Sequence, residues 1–171
     1  MSGATATTLD AIAAWLSDTP LSHLLQNVSW LVPGIQSLHI LCVALVISSV
    51  AMITLGAFGL YAREQPPLRR QSRFIPNLRW ALPALLVTGA LMVVAEPDRA
   101  LPNPVFQLKM VLLVVAIGIT ALGARRLTVL ESRGAVSARG DFTLRLLTLT
   151  ALVLWVSVLV SGRWIAYSLS R

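Results

Sequence analysis

Charge is what this sequence has least of. Only 12% of its 171 residues are Asp, Glu, Lys or Arg, about half the share usual in a soluble domain. Hydrophobic residues make up 56%, and the mean hydropathy is +0.77. Lipid, not water, is therefore the expected solvent for most of the chain, with polar residues confined to loops, and one domain suffices for the length. Cysteine is nearly absent: the single Cys42 excludes an internal disulfide and leaves the redox compartment unread. There is no HExxH, CxxC, Walker loop or GxSxG, and no carboxylate pair within the apolar stretches. A non-enzymatic role is the expectation. The net charge of +7 would suggest nucleic acid in a soluble protein. Here the arginines concentrate in two short loops, where membrane topology accounts for them, and no nucleic-acid partner is expected.

What is present is a set of long apolar runs. From Leu38 to Ala62 the only ionisable residue is His39. At ~1.5 Å per residue such a run crosses the ~30 Å hydrocarbon core as a helix. Three more follow, giving an all-α, four-span transmembrane bundle with spans at about 35–62, 78–95, 104–124 and 144–167. Pro83 lies near the start of the second span, and Asn103-Pro104 supplies an N-cap and first residue for the third. Residues 1–34 are expected to form an amphipathic segment along the membrane interface, with residues 35–171 as the transmembrane domain. In it, Leu9, Ile12 and Leu16 recur at helical spacing. Asp18 or Thr19 caps a second short helix carrying Leu21, Leu24, Leu25 and Val28, and Trp15 and Trp30 sit at headgroup depth. Pro33-Gly34 then turns the chain into the membrane. No basic region precedes an apolar core at the N-terminus, so the first span is expected to serve as the insertion signal.

The loops 63–79 and 125–145 carry five arginines each, whereas the opposite side has only Arg99, Arg163 and Arg171. The positive-inside bias places both basic loops in the cytoplasm and both termini outside. The expected location is the bacterial inner membrane.

Polar residues at membrane depth gather at one end. His39, Glu96, Lys109, Arg163, Trp164 and Tyr167 all fall near the outer ends of their spans. Buried ionisable groups usually pair with one another or face water, so the expectation is a ligand or partner site. In it, Glu96 lies within hydrogen-bonding reach of Lys109 or Arg163, and His39 lines the same cavity. The alternative is that Lys109 and Arg163 reach out to the headgroups. Three roles are open to His39: an interhelical hydrogen bond, a proton-responsive group beside Glu96, or a ligand to haem or metal. His23 lies in the interfacial segment, which disfavours a bis-histidine haem. Met92 is a conceivable second ligand, and Cys42 shares a face with His39 without completing a metal site.

Three stretches carry a resemblance: SLHILCVALVISS, EPDRALPNPVFQLKM and SGRWIAY. Their order and spacing, from Trp30 to Tyr167, resemble a family of small bacterial four-helix inner-membrane proteins known as a domain of unknown function. Its NP-x-F-x-x-K and GRWIAY patterns match at Asn103, Pro104, Phe106 and Lys109 and at Gly162, Arg163, Trp164 and Tyr167. His39 and Glu96 also match. Members often have a further histidine near the end of span three, where this chain reads GARR, so a ligand role there is closed. The resemblance implies no activity.

The leading expectation is an integral membrane subunit or accessory protein with a polar site at its extracytoplasmic end. It would contact another membrane protein, a second copy, a lipid headgroup or a small ligand. An electron-transfer protein binding haem or quinone is the alternative. A small metal or proton transporter is a third reading, against which the scarcity of polar residues at the midplane counts.

Overall fold

The computed structural model describes residues 2–60, 74–133 and 141–168, with side chains described for 8–60, 74–130, 132–133 and 141–162. Pro66 and Pro67, expected to stop the chain from continuing as helix, and Gly134 and Gly140, expected to make the second basic loop flexible, lie outside them. All regular structure among the described residues is helical. Two helices, α1 (Ser2–Ser17) and α2 (Pro20–Asn27), precede the first long helix, α3 (Leu31–Ala57). Then come α4 (Ile75–Ala95), the single turn α5 (Pro97–Ala100), α6 (Pro104–Ser132) and α7 (Phe142–Ser168). Helices α3, α4, α6 and α7 are each long and apolar enough to cross a membrane. Even α4, the shortest at 21 residues, measures ~32 Å.

The chain forms two helical hairpins. Helix α3 packs on both α4 and α7, and α7 packs on α6, whereas close backbone contact between α4 and α6 is sparse. The seam between hairpins is lined by small and β-branched residues: Val46 and Ala57 of α3, Ala116 of α6 and Ala151 of α7 are buried. Small residues let backbones approach, which is what drives helix association where lipid tails are as apolar as leucine. Two hydroxyls reinforce it. Thr54 donates to the carbonyls of Val50 and, across the seam, Thr148 at 3.1 Å. The indole of Trp155, only 1% exposed, donates to the Thr120 hydroxyl at 3.0 Å and ties α7 to α6.

At the end opposite His39, two arginines of the basic stretches join the structure. Arg126 places Nε and Nη2 at 3.1 and 2.7 Å from Oδ2 of Asp141, whose Oδ1 accepts the Leu144 N–H at 2.7 Å. Asp141 is thus both the N-cap of α7 and the partner of an α6 arginine. The Arg126 hydrogen bonds hold its carboxyl below the ordinary value of 3.8. Arg145 donates to the Ala57 carbonyl at 3.1 Å, in the last turn of α3, and lies over the Phe58 ring. An arginine suits this position because the terminal carbonyls of a helix have no partner within it.

Several sequence expectations need correction. Helix α1 begins at Ser2, well before Leu9. The cap of α2 is Thr19, which accepts the Ser22 N–H, and not Asp18. The chain turns into α3 at residues 28–30, while Pro33 and Gly34 already lie in its first turn. A proline is tolerated there because the N–H it lacks would have no partner in a first helical turn. Likewise Pro76, expected as a helix breaker within the basic stretch 63–79, stands in the first turn of α4. The third span continues as helix through Ser132, which takes Arg125 and Arg126 out of the expected loop. Asn103 caps α6 as expected, accepting the Val105 N–H at 2.9 Å.

Helices α1 and α2 fold onto the His39 end. Ala13, Ser22 and Leu25 are buried against it, Gln26 donates to the Ala95 carbonyl, and Ser17 donates to Asp98. Leu21 and Leu24 face outward, so the four expected apolar positions of α2 are divided between two faces.

Candidate functional site

The polar residues of the His39 end come from all four long helices. His39 lies eight residues into α3, and its ring meets α4 through the Nδ1–Cε1 edge. Nδ1 is 2.9 Å from the Thr88 hydroxyl, and a Cβ placed on Gly89 would lie 3.4 Å from Cε1. Thr88 directs its own proton to the Ala84 carbonyl at 2.7 Å. The same hydroxyl lies 3.1 Å from the Leu85 carbonyl, so this edge of the ring meets α4 where one hydroxyl is shared with two helix carbonyls.

Lys109 lies five residues into α6, ~7.5 Å from its start. The side chain crosses toward α7, where a Cβ placed on Gly162 would lie 3.3 Å from Nζ and 3.7 Å from Cε. The ammonium is thus accommodated by a missing side chain, as His39 is by Gly89. Lys109 is half-buried. No hydrogen bond joins it to His39, and no anion pairs with Lys109 among the described residues.

Glu96 does not join them. It ends α4, accepts from Arg99 at 3.0 Å, and both partners are more than half exposed. A solvated pair of this kind adds little stability. Arg163, Trp164 and Tyr167 belong to the last turns of α7, but their side chains lie outside the described residues. Of the six expected site residues, His39 packs on Gly89 of α4 and Lys109 on Gly162 of α7, while Glu96 is held apart by Arg99. Sequence reasoning missed Thr88 as the partner of His39 and the use of Gly89 and Gly162 as seats. A threonine next to a glycine in an apolar span reads as ordinary helix packing, so only the pairing reveals it.

A separate cleft of about 230 Å³ opens where α2 meets the start of α3 and the end of α4. Leu25, Gln26, Val32, Ala95 and Glu96 line it. No group of three or more His, Cys, Asp or Glu side chains that could hold a metal occurs among the described residues.

No curated protein and no solved structure matches the chain. Residues 30–168 do match a family of unknown function, DUF6644, which takes in all four long helices, with His39 and Lys109, and leaves out α1 and α2. The chain belongs to that family.

Proposed function

We propose that this is a non-enzymatic subunit or accessory protein of the bacterial inner membrane, whose working part is the polar site at the His39 end. The observation that carries the reading is that His39 and Lys109, both near the same end of their spans, are each seated on a glycine of a neighbouring helix. Ionisable groups within spans are costly and mark functional sites by default. Lys109 carries a charge there without a protein counter-charge among the described residues.

The arginine count supports an extracytoplasmic position for this end, with both basic stretches in the cytoplasm. Exposed Ile12, Trp15, Leu21, Leu24 and Trp30 support an interfacial position for α1 and α2, with the aromatic rings at headgroup level. A further membrane protein or a second copy finds its most open face on α6. Only 11% of that span is covered within the fold, against 44% for α3.

The test is purification in mild detergent with native mass spectrometry. The wild-type protein should retain a ligand or partner that Lys109→Met loses while remaining folded. A protein that emerges bare and monomeric in both forms contradicts the reading. A Soret band in the purified protein would favour a haem electron carrier instead.

A further inference from the structure

The cleft between α2, α3 and α4 sits where two spans end. Val32 belongs to the first turn of α3, and Ala95 and Glu96 close α4, so the cleft opens at the boundary of the membrane and not within it. Ser29 of its wall precedes Trp30, which is 71% exposed, as suits a ring at headgroup level. The volume is about 230 Å³. At ~30 Å³ per water molecule that is room for a group of headgroup size and not for a whole lipid. Leu25, Val28 and Val32 supply an apolar lining, and Gln26, Ser29 and Glu96 supply the polar side chains.

Those polar atoms are mostly acceptors. Gln26 directs both amide hydrogens into the fold, to the Ser22 hydroxyl at 3.0 Å and the Ala95 carbonyl at 3.1 Å. A carbonyl only accepts, which fixes the amide's orientation and leaves Oε1 as the atom Gln26 has to offer. That oxygen has no partner among the described residues. Glu96 meets Arg99 through Oε2, and its Oε1 has no partner among the described residues either. The carbonyls of Leu25 and Gln26, in the last turn of α2, accept no backbone N–H among those residues. They add the partial negative charge of a helix C-terminus. No Lys, Arg or His lines the cleft. An anion would meet a carboxylate there, whereas a cation with several N–H donors meets acceptors.

We propose that this cleft binds a primary ammonium group of headgroup size. The ammonium donates to Oε1 of Glu96 and Oε1 of Gln26, and the carbon atoms attached to it lie against the apolar lining. A trimethylated ammonium has the charge without the N–H donors and leaves both oxygens unmet. Two sources offer the required chemistry: the headgroup of phosphatidylethanolamine and a free amine such as ethanolamine. The proposal is independent of any role for His39 and Lys109.

The experiment follows thermal unfolding of the full chain in phosphatidylcholine nanodiscs. Phosphatidylethanolamine or phosphatidylglycerol is introduced into the discs, or ethanolamine is added to the buffer. Ligand that binds only the folded state raises the midpoint. A rise with phosphatidylethanolamine that Glu96→Gln reduces supports the proposal and assigns a lipid source. A rise with ethanolamine in pure phosphatidylcholine, reduced in the same way, supports it and assigns a soluble one. The partly solvated carboxylate should account for roughly threefold to tenfold in binding. Glu96 and Arg99 are both more than half exposed, so neither substitution threatens the fold. Arg99→Gln removes the competing cation and should strengthen binding, which loss of a merely structural ion pair would not do. Weaker binding in Arg99→Gln overturns the proposal, as does a preference for phosphatidylglycerol. A response equal in wild type and Glu96→Gln, or no response at all, overturns it too. Lys109→Met should leave the response intact, and a response that it abolishes belongs to the other site and overturns this one.

Discussion

At the residue scale the bilayer makes each internal hydrogen bond count, because no water waits to replace a lost partner. Trp155 and Thr120 show this within the bundle. Thr120→Val preserves shape and leaves the indole N–H unmet, which should cost ~1–2 kcal/mol in detergent unfolding. A midpoint equal to wild type would mean that Trp155 has found another acceptor. Asp141 gives a pH-dependent case. Its folded pKa is depressed, so its contribution is complete above the unfolded value, which for an ordinary group is 3.8. The contribution then fades as pH falls from there through the lower folded value. Asp141→Asn keeps a good N-cap and loses the charge opposite Arg126. It should therefore lower stability at neutral pH by at most ~1 kcal/mol, and the gap from wild type should close in acid. A gap independent of pH would place the effect in the cap. His39 was legible from the sequence as the one ionisable residue in an apolar run; its partner was not, because Thr88 lies 49 residues away.

At the element scale, helix type and number follow from hydrophobic runs far longer than strands require, which is why the four spans could be read directly. Their ends could not, because proline is ambiguous. Pro33, Pro76 and Pro97 all stand in first turns of helices, whereas sequence alone also allows them as breakers. The arginines of 125–145 posed the same difficulty. Arg126 and Arg145 read as loop charge for topology, yet each has an addressed partner on another element. Arg145→Met should loosen the end of α3 against α7, lowering the unfolding midpoint through loss of the Ala57 contact and the stacking on Phe58. Hydrogen exchange should show faster opening confined to the last turn of α3, and uniform acceleration across the bundle would contradict the assignment. At the other end, Gly162→Leu should evict Lys109 from its seat, while Gly162→Ala should be tolerated because a flexible ammonium can yield a few tenths of an ångström. Loss of ligand retention in Leu and not in Ala is the expected pattern.

At the scale of the whole molecule, the account is of two hairpins joined along α3 and α7, with aromatic residues exposed at both ends. Trp15 and Trp30 mark one end, and Trp80 and Phe142 the other. Orientation follows from the arginines: reporter fusions after residues 70 and 133 should read as cytoplasmic, and one after 171 as extracytoplasmic. The opposite pattern would put the His39 end in the cytoplasm. The gathering of polar residues at one end was legible because alternating spans bring alternate loops to one side. Which of them meet was not, since Glu96 and Lys109 share that side without touching. The central claim is that Lys109 takes its counter-charge from outside the chain. It is tested most directly by a high-resolution structure of the protein extracted with its native lipids. The account predicts non-protein density within hydrogen-bonding distance of Lys109 Nζ. An Nζ held by the chain's own atoms, with no density beside it, would contradict it.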